Sequence, residues 1–209
     1  NYAITKKGEP APSNYQGEIL VPFAVESSLS GVGKTVNEHQ ELWYQRTFDV
    51  PSAWKGKQIL LHFGAVDWKA DVWVNDVKVG QHTGGFTPFY FDITSALNKG
   101  NNQLVVKVWD PSDRGEQPRG KQVERPGGIW YTPVTGIWQT VWLGTGSCPA
   151  YRPTENNSGY RQEDRQSGSS YQRMFSGQSG SESIRRQKPR SQRSSAQWRT
   201  GRINNAGRR

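Results

Sequence analysis

The chain has 209 residues with a formal net charge of +9, one Cys and three His. One cysteine excludes an internal disulfide and a cysteine-rich metal site, and no apolar run approaches the ~18 residues of a membrane span. The charge is unevenly placed: residues 1–143 carry 14 Lys+Arg and 14 Asp+Glu, whereas 144–209 carry 13 and 4 and account for the whole excess. Segment 144–209 also lacks Leu and Val, and it holds Cys148 and Met174. With nothing to fill a core, it does not offset an ordering cost of about 1–2 kcal/mol per residue of backbone. The expected organisation is an extended arm over 1–17, one folded domain over 18–143 and a disordered basic tail over 144–209. No signal peptide is visible and the chain begins at Asn1, so it reads as processed or as a fragment. Its compartment stays open, with the periplasm and the exterior both possible.

Taken in order, Glu18 to Pro22 reads as a short strand ended by its proline, and the Gly/Ser-rich stretch Ser27 to Gln40 as a loop. Glu41 to Val50 is a strand with Leu42, Tyr44, Phe48 and Val50 on one face. Pro51 to Gly56 is a turn in which Trp54 caps one end of the core. Gln58 to Phe63 is almost all apolar, as expected of a strand central in its sheet. Asp71 to Val79 is a hairpin: Asn75-Asp76 takes the positive φ of a two-residue turn. Val72, Val74, Val77 and Val79 share the buried face, and Trp73 and Lys78 look the other way. Pro88 to Asp92 is a further strand, and Ile93 to Leu97 and Asn98 to Asn102 are turns. Gln103 to Asp110 alternates Leu104, Val106 and Val108 against Val105, Lys107 and Trp109. Pro111 to Gly128 is a long polar loop, of a length that is usually functional or mobile. Ile137 to Leu143 closes the fold. Many short strands with almost no helical periodicity indicate an all-β sandwich or jelly roll.

The segment after the hairpin, His82-Thr83-Gly84-Gly85-Phe86-Thr87-Pro88-Phe89, has two glycines that let backbone pass where a side chain would clash. Flanked by His, Trp and Asp, it suits a sugar better than a metal or phosphate, since a sugar offers a ring face to aromatics and hydroxyls to short polar groups. Three scattered histidines (His39, His62, His82) make no metal site.

Several strings in this order resemble glycoside hydrolase family 2. They are P-F-x-x-E-S at Pro22 to Ser27, L-W-Y-x-R-x-F at Leu42 to Phe48 and A-V-D-W-x-A-x-V-W-V-N at Ala65 to Asn75. G-x-H-x-G-G-F-x-P-F at Gly80 to Phe89, D-I-T at Asp92 and V-T-G-I-W-Q at Val134 to Gln139 complete the set. The resemblance covers about Gly17 to Leu143 and is to the family's N-terminal sugar-binding domain. It implies a galactose-binding-like jelly-roll β-sandwich from an enzyme of the β-galactosidase, β-glucuronidase and β-mannosidase type. The implied partners are a β-linked sugar or oligosaccharide and the catalytic barrel and second sandwich domain of the parent enzyme. No cofactor, metal, membrane or nucleic acid is implied.

In that family the two carboxylates of glycoside hydrolysis come from the barrel, which this chain does not reach. Asp67, Asp71, Asp92, Asp110, Asp113, Glu116 and Glu124 match neither family carboxylate motif and read as solvated or turn carboxylates, with Asp92 a turn cap. No catalytic residue is therefore assigned. The candidate sugar contacts are Asp67, Trp68, Lys69, His82, Gly84, Gly85, Trp130 and Tyr131. Asp67-Trp68-Lys69 fits sugar contact and domain packing equally, and His82 fits a structural histidine slightly better. Trp130-Tyr131 stands near where lactose- or glucuronide-cleaving relatives lend an acid to the barrel pocket, so the aromatics there argue against β-galactosidase specificity. Eight tryptophans before Gly144 exceed the needs of one small core and place some at an interface.

The resemblance stops at Gly144, where family members continue E-P-V-P and, later, T-P-D-I-D. Gly144-Thr-Gly-Ser-Cys148 permits a codon string that reads E-P-V-P once a base is removed after Leu143. The same frame over Glu155 to Asp164 permits K-T-T-P-D-I-D-R-K. The tail thus reads as out-of-frame sequence, with a natural basic tail or an Arg-rich RNA-binding segment as alternatives. Three classes of function follow: accessory domain of a family 2 hydrolase, inactive alone; free-standing carbohydrate-binding module; nucleic-acid binder through its tail.

Overall fold

The computed structural model describes residues 1–146 and 171–174, with only the backbone of 171–173. Eleven strands are present among them: β1 Tyr2–Lys6, β2 Gln40–Phe48, β3 Ile59–Phe63, β4 Val66–Asp67, β5 Lys69–Val74, β6 Val77–Thr83, β7 Phe89–Asp92, β8 Asn102–Trp109, β9 Gly136–Ile137, β10 Val141–Thr145 and β11 Tyr171–Arg173. The only helical elements among the described residues are three single 3-10 turns. Two antiparallel sheets, ordered β1-β2-β8-β5-β6 and β11-β10-β3-β7, form an all-β sandwich, and β4 pairs with β9 as a separate short ladder.

The core follows from period-2 alternation. Leu104, Val106 and Val108 of β8 are fully buried while the residues between them are half-buried. They join Leu42 and Tyr44 of β2 and Val72 and Val74 of β5 in one cluster with Ile59, Leu61 and Phe63 of β3 and Val141 and Leu143 of β10. β3 lies between β10 and β7 in its sheet, the position its unbroken apolar run requires. Trp54 is 5% exposed within the core.

On the outer face of the larger sheet, Trp43 stacks on Trp73 at 5.9 Å between ring centroids. Beside them Lys78 pairs with Asp71 at 2.6 Å, and Lys107 lies 3.3 Å from Glu41 and 3.7 Å from Asp71. Trp73 and Lys78 thus face away from the valines. The hairpin turns at Asn75 and Asp76 with φ of 49° and 65°. Its valines are not equivalent, however: Val77 is 53% exposed and Val79 only packs against the margin of the core. The register slips between Val72 and Trp73, and β6 is an edge strand, so its tip overhangs the core.

Four boundaries differ from those expected. The first residues of the arm form β1, paired with β2 from Tyr2↔Tyr44 to Lys6↔Gln40, with Tyr2 and Ala3 buried; prolines at 10 and 12 marked the loop that follows and hid the strand before it. Glu18 to Pro22 makes no strand; the residue before it, Gly17, bridges to Tyr2. The closing strand is split, because Gly136–Ile137 turns aside to pair with β4 before β10 begins. β10 also continues past Leu143 to Thr145, and β11 pairs with it through Trp142↔Arg173, Leu143↔Gln172 and Gly144↔Tyr171. Met174 is 2% exposed and its N–H donates to Val141 O at 2.8 Å. An edge strand needs backbone groups and one apolar side chain, which a composition poor in Leu and Val still supplies. The readings of 147–170 and 175–209 as disordered, out-of-frame or RNA-binding lie outside the described residues.

Candidate functional site

The pairings Lys69↔Thr83 and Lys69↔Trp109 put the start of β5 and the ends of β6 and β8 at one end of the larger sheet. There the chain lays a roof: Asp110 to Thr135 above, β4 and β9 beneath it, and the Gly84-Gly85 turn at the side. Gly84 N donates to Trp68 O at 3.1 Å. Gly85 lies so close to Asp67 that a side chain there would strike the carboxylate. The Trp138 indole N–H donates to Gly85 O at 2.8 Å, and Phe86 meets the Trp138 ring edge-on at 6.1 Å. Glycine is required at 85 by this close approach.

The three members of Asp67-Trp68-Lys69 have separate fates. Asp67 is 4% exposed and its Oδ2 accepts from Gln122 Nε2 at 3.3 Å. Gln122 Oε1 in turn accepts from Val134 N at 2.6 Å. Asp67 therefore holds the roof and does not face solvent. Lys69 is a half-buried strand residue between Thr83 and Trp109. Trp68 lines an open cleft with Trp109, Lys7, Glu38, Arg114 and Glu116, of about 500 Å³.

His82 is half-buried, stacked on Phe89 at 3.9 Å between centroids, with Thr87 Oγ1 3.3 Å from its Nε2. Burial lowers its pKa. These contacts tie the glycine turn to β7. Trp130 and Tyr131 are 45% and 62% exposed beside Ile129 at 67%. Tyr131 N donates to Lys121 O at 2.8 Å and Val123 N to Tyr131 O at 3.0 Å, so this aromatic tip is clamped to the strand-like stretch around Gln122. Through Gln122 the tip is joined to Asp67.

Beneath the roof lies a carboxylate cluster whose role the sequence did not disclose. Thr135, fully buried, donates its N–H to Glu26 Oε2 and its hydroxyl to Asp110 Oδ2, both at 3.0 Å. Asp110 Oδ1 also accepts from Ser112 N at 2.8 Å. Burial pushes the Glu26 carboxyl up to about 7, partly opposed by the Thr135 hydrogen bonds, with Asp110 adding repulsion. Burial and then Asp110 raise Asp67 to about 7, and burial raises Asp110 itself. Glu26 Oε1 has no hydrogen-bond partner among the described residues. The Tyr44 hydroxyl, whose pKa burial raises, accepts from Ile137 N at 3.1 Å. It lies against Gly136, φ 92°, where a side chain would collide with it.

Glu26 was visible in P-F-x-x-E-S and Asp110 as a strand-end carboxylate, but only the fold brings them to Thr135. Gln122 carried no sequence signal. Among the described residues no group of His, Cys, Asp and Glu is arranged to hold a metal ion, and no helix is long and apolar enough to cross a membrane.

The profile described as "Glycosyl hydrolases family 2, sugar binding domain" matches residues 12–143. A β-galactosidase of Thermoanaerobacter pseudethanolicus is 39% identical over 103 residues, covering 48% of this chain and 13% of that protein. A β-glucuronidase of Paenibacillus borealis is 36% identical over 91 residues, covering 42% and 15%. Among solved structures, a β-glucuronidase of an uncultured Clostridium sp. is 34% identical over 42% of this chain and 15% of its own, with a TM-score of 0.36. The chain spans 13% and 15% of the length of the two curated relatives. With a family match running through both sheets and the roof, the chain belongs to glycoside hydrolase family 2, through that family's sugar-binding domain.

Proposed function

We propose that this chain is the accessory sugar-binding part of a family 2 enzyme that cleaves terminal β-glycosides, and that hydrolysis is carried out by a catalytic barrel elsewhere in that enzyme. The observation that carries this reading is the exposed tip Ile129-Trp130-Tyr131, pinned by Gln122 to buried Asp67. Rigid aromatics on a clamped loop suit a sugar ring or a neighbouring domain. The carboxylates of raised pKa, by contrast, are spent on the roof: each of Glu26, Asp67 and Asp110 accepts a hydrogen bond from a roof residue. A retaining pair would instead face one scissile bond from about 5–5.5 Å apart.

Of the sequence candidates, Trp68, Trp130 and Tyr131 remain direct contacts in this reading. Asp67, Gly84 and Gly85 become supports, Lys69 a strand residue and His82 a packing residue. The test is to read the gene onward from the Leu143 codon and express the longest continuous product beside the present chain. The extended product should hydrolyse aryl β-glycosides and the present chain should not. An extended product inert on a full panel of such glycosides, or turnover by the chain alone, would overturn the reading.

A further inference from the structure

Asp67 and Trp68 are neighbours in sequence but serve different surfaces, and the cleft on the Trp68 side is separate from the Trp130-Tyr131 tip. It occupies about 500 Å³, within the ~300–1,000 Å³ of ordinary small-molecule sites. Trp109 is fixed in its wall: the indole N–H donates to Glu38 O at 2.8 Å, and Lys7 Nζ sits 3.6 Å above the ring centroid. That cation–π contact keeps an ammonium in the cleft with no carboxylate partner among the described residues. Arg114 is already engaged, 4.0 Å from Glu38, 3.7 Å from Asp113 and 3.6 Å from Glu124. Glu116 makes no hydrogen bond or ion pair among the described residues, so the cleft also presents a free carboxylate.

The lining is therefore balanced in charge, with two cations (Lys7, Arg114) against two carboxylates (Glu38, Glu116). A phosphate or a uronate would meet no net positive field here, and a metal ion no cluster of ligands. An indole wall, a group that only donates and a group that only accepts complement an uncharged ring with one apolar C–H face and hydroxyls that do both.

We propose that the cleft between Trp68 and Trp109 is a binding subsite for an uncharged hexopyranoside unit, with Trp68 as the stacking surface and Lys7 and Glu116 as hydroxyl partners. The proposal rests on the sugar-binding reading above and assigns it a place and a ligand class. Calorimetric titration of the chain with lactose, cellobiose, galactose, glucose and mannose, with glucuronate and inorganic phosphate as charged controls, tests it. Saturable heat is expected with at least one neutral sugar and not with the charged controls. Trp68→Ala should weaken binding at least about tenfold, and so should Glu116→Gln, which alters an exposed side chain and leaves folding untouched. A Val77→Ala variant, at an exposed position outside the cleft and the aromatic tip, should keep the affinity.

Binding unchanged in both cleft variants, binding lost equally in Val77→Ala, preference for glucuronate, or no heat with any neutral sugar would each overturn the proposal. None of these outcomes involves hydrolysis, so failure here is distinct from failure of the functional reading.

Discussion

The sandwich body and its roof are held by different forces. In the body, Leu42, Leu61, Phe63, Val72 and Leu104 are fully buried, and hydrophobic transfer and close packing account for their order. In the roof, order comes from polar groups. Thr135 bridges Glu26 and Asp110, Gln122 bridges Asp67 and Val134, and buried Asp67 and Asp110 and half-buried Glu26 make no ion pair among the described residues. The roof thus carries buried carboxyls whose pKa burial raises, Glu26 and Asp67 to about 7, whereas the core of the body is apolar. Loops of this kind can vary without disturbing the sheets below.

The largest expected break is in the body. Phe63→Ala removes a fully buried ring that stacks on Phe89 at 4.8 Å, and should cost about 3–5 kcal/mol in chemical denaturation. The roof should break next at a tight backbone approach. Gly136→Ala drives a methyl group into the Tyr44 hydroxyl at a positive φ and should cost about 2–4 kcal/mol.

A third expectation sharpens the contrast through pH. Glu26 titrates near 7 in the folded state against a reference of 4.5, so between those values the folded chain binds more protons than the unfolded one. Stability must then fall as pH rises from about 4.5 to 7 and level off above it. Asp67, raised to about 7, adds a fall of the same sign. His62 and His82, whose pKa values burial lowers, act oppositely as pH falls below their ordinary range, so the variant difference is the informative quantity. Glu26→Gln should leave stability nearly unchanged at pH 4.5 and raise it by about 1–3 kcal/mol at pH 7.5. The smallest effect belongs to the hairpin tip: Val77→Ala, at a side chain 53% exposed, should change stability by less than about 0.5 kcal/mol.

The same division explains what the sequence disclosed. Alternation in β8, the apolar run of β3 and the Asn75-Asp76 turn are local patterns, and each was legible. Val77 was misplaced because alternation does not say where a strand overhangs its core. β1 was missed because an edge strand needs little more than backbone, and β11 for the same reason. At the site, half-buried Trp68 and exposed Trp130 and Tyr131 could be picked out as residue types. The Glu26-Thr135-Asp110 bridge could not, because its members are 109 and 25 residues apart in sequence. Nothing in the sequence signalled that Gln122 would donate to Asp67.

The separation of body and roof is tested most directly by amide hydrogen exchange, with protection factors measured at pH 5.5 and 7.5 in the wild type and in Glu26→Gln. The amides of Val123, Tyr131, Val134 and Thr135 close the roof, and those of Leu61 and Val106 lie in central strands. The roof amides should lose protection between the two pH values in the wild type and largely keep it in Glu26→Gln, while Leu61 and Val106 stay protected throughout. Equal loss in roof and body, or a roof loss that Glu26→Gln does not reduce, would contradict the account.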